Sequence, residues 1–350
     1  MSNHFLEGRG SPMDLVKKEI DSPEQKYGLL RVCPVNQILE MARSLPTPVD
    51  LFFGLIWLGE NHVLFADSGI GKTALAIQSA EHIALNGRCV LYVDCELSDK
   101  MFQIRYSSDN GDLHHFPDNF YRASIHVDDI QNANYEEEIL RNIVNAAEGV
   151  KAQVVFIDNL TYLCNGGEKG DVAGYFMKEL KAIQIKYNWT LIVLSHTPKR
   201  PAFRPITEND MLGSKRFINF IDNAFCIGSS FMDYDIRYIK QVKVRNHEVR
   251  YDENNVWVLR LEKDNDALRM NSIGYGRERE HLRVRTEEDD KNLTPEILTY
   301  SRKGYSIRDI SAMVGISRSS VHRILTEHKH ELTSMKTNKP NLFNEVENEK

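Results

Sequence analysis

Residues 63–77 read VLFADSGIGKTALAI. An apolar run meets a glycine-rich turn, a lysine and a threonine follow, and apolar residues then recur at helical spacing. The phosphate-loop pattern G-x-x-x-x-G-K-[ST] is met except at its first position, where this chain has Ala66. Such a loop curls successive backbone N–H groups around a phosphate, and the helix that follows points its positive end at it. Gly69 and Gly71 stand where the backbone takes positive φ or touches phosphate closely. A methyl at Ala66 costs about 1 kcal/mol if φ is positive there and nothing if it is not. Ser68, Gly69, Ile70, Gly71, Lys72, Thr73 and Ala74 are the expected cradle. Lys72 supplies a point charge to the β- and γ-phosphates, and the Thr73 hydroxyl is offered to Mg²⁺. ATP and Mg²⁺ are therefore the expected ligands.

Downstream, short apolar runs alternate with longer helical patterns: CVLYVDC, YEEEILRNIVNAAEGV, VVFID, DVAGYFMKELKAIQIKY and TLIVLS. Continuous apolar runs separated by crossover helices predict a parallel, doubly wound α/β sheet. VVFID ends in Asp158, a carboxylate delivered to the strand's end and suited to holding Mg²⁺ together with Thr73. YVDCELSD places Asp94 and Glu96 at the same edge, where ligands of open parallel sheets bind. Glu96 is the candidate general base and Asp94 a structural strand-end carboxylate. His196, ending TLIVLSH, is a candidate γ-phosphate sensor. After residue 220, AFCIG, IRYIKQVKV and VWVLRL predict an antiparallel extension of the sheet.

The chain has 350 residues, room for one large domain and a small one. A formal net charge of −6 argues against a uniformly basic nucleic-acid protein but leaves room for a local basic surface. No apolar run approaches the roughly 18 residues of a membrane span. The N-terminus lacks a signal-peptide core, so a cytoplasmic location without membrane contact is expected. Cys33, Cys89, Cys95, Cys164 and Cys226 form no CxxC pair and read as buried thiols. The expected divisions are an N-terminal arm without fixed structure or weakly helical (1–34), the ATPase domain (35–262), a charged linker (263–292), a helix-turn-helix domain (293–330) and a disordered tail (331–350).

GIGKT, YVDCELSDKMFQIRY, VVFIDNL, LIVLSH, LGSKRFINFIDNAFCI and IKQVKVRN together resemble the RecA-like AAA family ATPases, specifically the RepA and DnaB type of ring-forming hexameric helicases. The resemblance covers roughly residues 50–262. It implies a RecA-like P-loop core, catalytic roles for Glu96 and Lys72, and coupling of γ-phosphate to DNA through His196. It also implies that Lys243 and Arg245 reach the nucleotide of a neighbouring subunit in a homo-oligomeric, hexamer-type ring; read from the residues alone, KQVKVR is also compatible with the solvated face of an edge strand. The N-terminal region is too short for the helical domain of a replicative helicase, so a small RepA-like ring of a plasmid or mobile element is the nearer likeness.

SIRDISAMVGISRSSVHRIL has the texture of a helix-turn-helix and resembles that of resolvases and transposases. Gly315 permits the turn and Ser317 caps the second helix. Arg318, Ser319, Ser320, His322 and Arg323 then face outward, toward double-stranded DNA. A loop at 197–212, with Lys199, Arg200 and Arg204 for phosphates and Phe203 for base stacking, is the candidate grip on single-stranded DNA in the ring channel. The alternatives are an ATP-switched DNA-binding regulator and an accessory ATPase of transposition or plasmid maintenance without unwinding activity.

Overall fold

In the computed structural model the described residues are 25–27, 30–44, 47–124, 135–159, 170–198, 200–211 and 218–329. The strands in chain order are β1 (Gln25–Tyr27), β2 (Leu30–Val32), β3 (Asp50–Phe52), β4 (Ile56–Trp57), β5 (Asn61–Ala66), β6 (Val90–Asp94), β7 (Phe120–Ser124), β8 (Val154–Asp158), β9 (Thr190–His196), β10 (Asn223–Ser229), β11 (Ile236–Val244), β12 (Val256–Asp264) and β13 (Ala267–Gly276). Nine of them form one sheet in the order β13-β12-β11-β10-β5-β9-β8-β6-β7. From β10 to β7 every pairing is parallel, and from β10 outward to β13 every pairing is antiparallel. This is the expected mostly parallel α/β architecture with an antiparallel extension.

Alternation within the apolar runs explains why both faces are covered. In β5, Val63 and Phe65 join one core with Val155, Ile157, Phe176 and Leu180. Leu64 and Ala66 join the other with Leu75, Ile77, Tyr92 and Phe156. The helix Lys72–Leu85 covers this second face, while Tyr135–Gly149 and Gly170–Tyr187 supply side chains to the first. Burying a leucine or phenylalanine in such a core contributes roughly 1.5–3 kcal/mol, which makes the runs and not their loops the fold's specification. Cys226 is buried in β10, whereas Cys33, Cys89 and Cys95 are only partly buried; Cys164 lies outside the described residues.

Three expectations change. Residues 25–27 and 30–32, placed in the arm without fixed structure, form the antiparallel pair β1–β2. Residues 263–276, placed in the charged linker, complete β12 and form β13, closed by an Asn265–Asp266 turn with Asn265 at φ 53°. Charge on the solvent side hid the strand pattern, and the Asn-Asp dipeptide between two alternating runs was its hairpin signal. The linker's end is likewise helix: Glu287–Arg302 starts at Thr286, whose hydroxyl and the Asp289 carboxylate cap one another's backbone. β11 is internal to the sheet, between β10 and β12, so the edge-strand explanation of its lysines falls.

The chain divides into two compact units, 1–198 with 206–277, and 199–205 with 278–350. The second unit is built on the helices Glu287–Arg302, Ile307–Val314 and Arg318–Glu327, with Leu293, Ile297, Ile310, Val314, Ile316, Val321 and Ile324 at its core. Gly315, at φ 66°, ends the second helix in the left-handed conformation, and Ser317 accepts from Ser320 N to start the third. The tail from 330 onward and residues 1–24 lie outside the described residues.

Candidate active site

The C-terminal edge of the parallel strands gathers the predicted groups. β9 lies between the P-loop strand β5 and the Asp158 strand β8, so His196, Asp158 and the P-loop share one crevice. Ala66 is buried in β5, paired with His196 across the ladder, and is absent from the positive-φ positions. The Ala66 methyl thus costs the loop nothing. Gly69 and Gly71 do take positive φ, 77° and 105°, and a Cβ on Gly71 would run into the Met270 side chain. Gly71 caps the helix with no side-chain hydrogen bond, and no acidic residue occupies the first turn. Its N–H groups are therefore available to an anion.

Lys72 is almost fully buried, and its ammonium donates to Ala66 O at 2.9 Å, to Asp67 O at 3.0 Å and to His196 Nδ1 at 3.0 Å. Burial holds its pKa below the usual lysine value, against the charges of Asp158, Glu96 and Asp67. An ammonium can only donate, so the Nδ1 facing it is the unprotonated nitrogen and the ring proton sits on Nε2. Nε2 lies 3.4 Å from Glu96 Oε1, the oxygen that can accept its proton and that also accepts from Asn159 Nδ2. Nε2 and Asn159 Nδ2, 3.1 Å apart, are both donors in this tautomer and do not bond each other. Ser68 Oγ stands 3.3 Å from His196 Nδ1.

Thr73 and Tyr92 each donate a hydroxyl to Asp158 Oδ2 at 2.7 Å. Its other oxygen, Oδ1, is buried with no hydrogen-bond partner among the described residues. Burial pushes this carboxyl up to about 6, against the two hydroxyl hydrogen bonds and with Glu96 and Asp94 adding repulsion. A buried, unsatisfied carboxylate oxygen beside a threonine hydroxyl suits a hard divalent cation, which would satisfy the oxygen and offset the desolvation. Thr73 and Asp158 would hold that magnesium, which supplies charge neutralisation to phosphate oxygens. Asp94 has a different role: its Oδ1 accepts from Glu96 N and Leu97 N at 3.0 and 2.9 Å, and Arg122 Nε donates to its Oδ2 at 2.9 Å. It shapes the turn that presents Glu96, which remains partly exposed.

Lys243 and Arg245 sit elsewhere. β11 runs antiparallel to β10, with Ile239 opposite Ile227 and Lys243 opposite Ala224. Ile227 in turn pairs with Ala66, so the two cations lie about 13 Å and about 20 Å along the strand from the P-loop level. Lys243 donates to Ile218 O, and Arg245 Nη1 to Asp222 Oδ1 at 3.2 Å. Burial first, and then Arg245, holds the Lys243 pKa down.

The residues expected to grip single-stranded DNA belong to the second unit. Phe203 packs against its helical core, with Arg283 and Arg285 over the ring at 5.7 and 5.8 Å. Arg204 Nη1 donates to Met313 O at 3.2 Å and Arg200 Nη1 to Arg204 O at 2.7 Å. Lys199 lies outside the described residues. On the third helix, Arg318, Ser319 and His322 are exposed; Ser320 accepts from Arg285 at 3.0 Å and Arg323 is ion-paired with Asp290 and Glu327.

Three contributors were missed in the sequence. Tyr92 reads as one more apolar strand residue, and only its hydroxyl tells otherwise. Asn159 directly follows Asp158 in VVFIDN, and a polar group just past a strand end was the available signal. Arg237 in IRYIKQVKV is buried and donates through Nε to Ile70 O, in the P-loop, at 2.9 Å. Nothing in the pattern of its strand marks it out.

Among the described residues, no helix is long and apolar enough to cross a membrane. No curated protein sequence matches the chain. A similar solved structure is a KaiC-like protein from the hyperthermophilic archaeon Pyrococcus horikoshii OT3, 14% identical, covering 63% of this chain and 98% of its own, with a TM-score of 0.46. Residues 32–202, a little under half of the chain, match the family model described as AAA domain. That stretch carries the P-loop, Glu96, Asp158 and His196, and together with the fold it supports a RecA-like P-loop ATPase.

Proposed function

We propose that this protein is an ATP-hydrolysing, ring-forming ATPase acting on DNA, a RepA-like helicase or replication protein of a plasmid or mobile element. The observation that carries the reading is a division of labour. Phosphate-binding, magnesium-binding and base-type groups converge at one edge of the sheet, while the Lys243–Arg245 pair stands at the other, out of reach of its own P-loop. A cation that cannot serve its own subunit's phosphates can serve a neighbour's, so that hydrolysis requires assembly. Glu96 takes a proton from the attacking water, oriented by Asn159 and His196. Lys72, on leaving its carbonyl partners for phosphate, also leaves His196 Nδ1. The imidazole then reports the nucleotide to whatever the β9 loop contacts.

The second unit supports DNA binding through its two short helices joined at Gly315, with Arg318, Ser319 and His322 exposed on the later helix. Arg323 and Ser320 join them once a phosphate competes with Asp290 and Arg285. Single-stranded DNA is assigned to Lys199, Arg200, Phe203 and Arg204, with Phe203 leaving its helical core to stack on a base.

The test is subunit complementation. Lys72→Ala and Arg245→Ala proteins are each inactive alone, and mixing them restores steady-state hydrolysis at composite interfaces. Mixtures as dead as their components remove the trans-acting assignment. Strand displacement on forked DNA then separates the helicase from an ATP-switched regulator, which binds DNA with ATP and unwinds nothing.

A further inference from the structure

The loop 230–235, SFMDYD, joins β10 to β11 at the sheet edge that carries the P-loop, since Ile227 pairs with Ala66 and Ser229 with Arg237. Local hydrogen bonds hold it in shape: Ser230 N donates to Ile236 O at 3.1 Å, Ile236 N to Asp233 O at 3.2 Å, and Met232 N to the Ser230 side chain, at Oγ, at 3.1 Å. Turned outward are Phe231, Met232 and Tyr234, the tyrosine 87% exposed. Three large apolar side chains are thus exposed within six residues of one loop.

Arg237 ties this loop to the P-loop. Its guanidinium donates to Ile70 O at 2.9 Å, to Tyr234 O at 2.5 Å and to Ile236 O at 3.0 Å, and lies 5.9 Å from the Tyr234 ring centroid. One buried side chain thus fixes the phosphate-binding backbone and the aromatic loop to each other.

Strand order decides what the occupant is. Glu96, Asp158 and His196 come from β6, β8 and β9, all on one flank of β5, while β10 and the loop lie on the other. A nucleoside triphosphate whose reacting γ-phosphate faces the catalytic flank has its base and ribose left to place, and the β10 flank is where the aromatic surface waits. We propose that the loop 230–235 is the base-binding wall of the nucleotide site, with Tyr234 stacking on a purine and Arg237 acting as a positioning residue. The inference rests on the nucleotide reading above and adds where the non-phosphate half of the ligand is held.

Calorimetric titration of the full chain with Mg·ATP and with inorganic tripolyphosphate tests it, because only the first carries a base. Tyr234→Ala weakens ATP roughly tenfold, the scale of one base–aromatic stack, and leaves tripolyphosphate unchanged. Tyr234→Trp keeps ATP affinity. Arg237→Gln, which unties the loop from the P-loop, weakens both ligands. Wild-type ATP affinity in Tyr234→Ala overturns the wall, as does equal loss of both ligands or a change confined to self-association. Binding of neither probe by the wild-type chain removes the nucleotide site itself, and the wall with it.

Discussion

At the sheet edge that carries the P-loop, Asp158 is buried with one oxygen unpartnered. At the opposite edge, Glu60 and Asp222 are buried with every oxygen engaged. Glu60 accepts from Asn223, Asn246 and His247, and Asp222 from Asn61 N, Lys181 and Arg245. The consequence appears in two aspartates of opposite behaviour. Burial drives Asp158 up to about 6. Burial pushes Asp222 the same way, yet the hydrogen bonds from Lys181 and Asn61 N and the nearby cations hold it below the usual carboxylate range. At one edge the buried carboxylates are satisfied as they stand, and at the other an acid is kept in discomfort that a cation would relieve. A group that lowers stability in the free protein and is strictly placed is the mark of a site maintained for chemistry.

Asp158→Asn gives the largest break in that contrast. Losing the carboxylate proposed to hold magnesium should remove several kcal/mol of transition-state stabilisation, on the order of a hundredfold or more in hydrolysis rate. The same variant should be more stable than wild type without metal. The ordinary carboxyl pKa of 3.8 rises to about 6 on folding, so the folded state binds the extra proton between these values. Wild-type stability therefore falls as pH rises through that window, and the deficit is complete above it. Comparing the two proteins cancels the titrating groups that do not interact with Asp158, His62 included. The gain of Asp158→Asn should reach up to roughly 3 kcal/mol at pH 7 and vanish below about pH 4. Chemical denaturation of both proteins across pH checks it. A variant less stable than wild type at pH 7 would contradict the strained-acid account.

Asp222→Asn should act in the reverse sense and more weakly. It removes the charge from two ion pairs whose cations are partly exposed, for a loss of roughly 1–3 kcal/mol in denaturation experiments. Mg·ATP affinity should stay near wild type, because the Asp222 cluster lies at the far end of the strands. A parallel loss of nucleotide binding would show that the two edges are not independent.

The legible parts of this molecule were those written in one continuous stretch. VLFADSGIGKT holds strand, loop and helix start within eleven residues, and VVFID carries its own acid, so the crevice could be assembled in advance. What escaped was pairing across long separations. Tyr92 meets Asp158, Arg237 meets Ile70, and Phe203 meets helices some ninety residues later. Each looks ordinary in its own window, because burial and hydrogen bonding there are decided by a partner the window does not contain. β13 escaped for a second reason: its run was masked by the charged segments beside it.

The proposed function depends on a triphosphate and its magnesium being held by Lys72, Thr73 and Asp158. Calorimetric titration of ATP into wild-type and Lys72→Ala proteins, each with and without Mg²⁺, tests it most directly. Mg²⁺-dependent binding by the wild-type chain and its loss in the variant are the expected results. Equal affinity in both proteins, or wild-type binding indifferent to Mg²⁺, would contradict it.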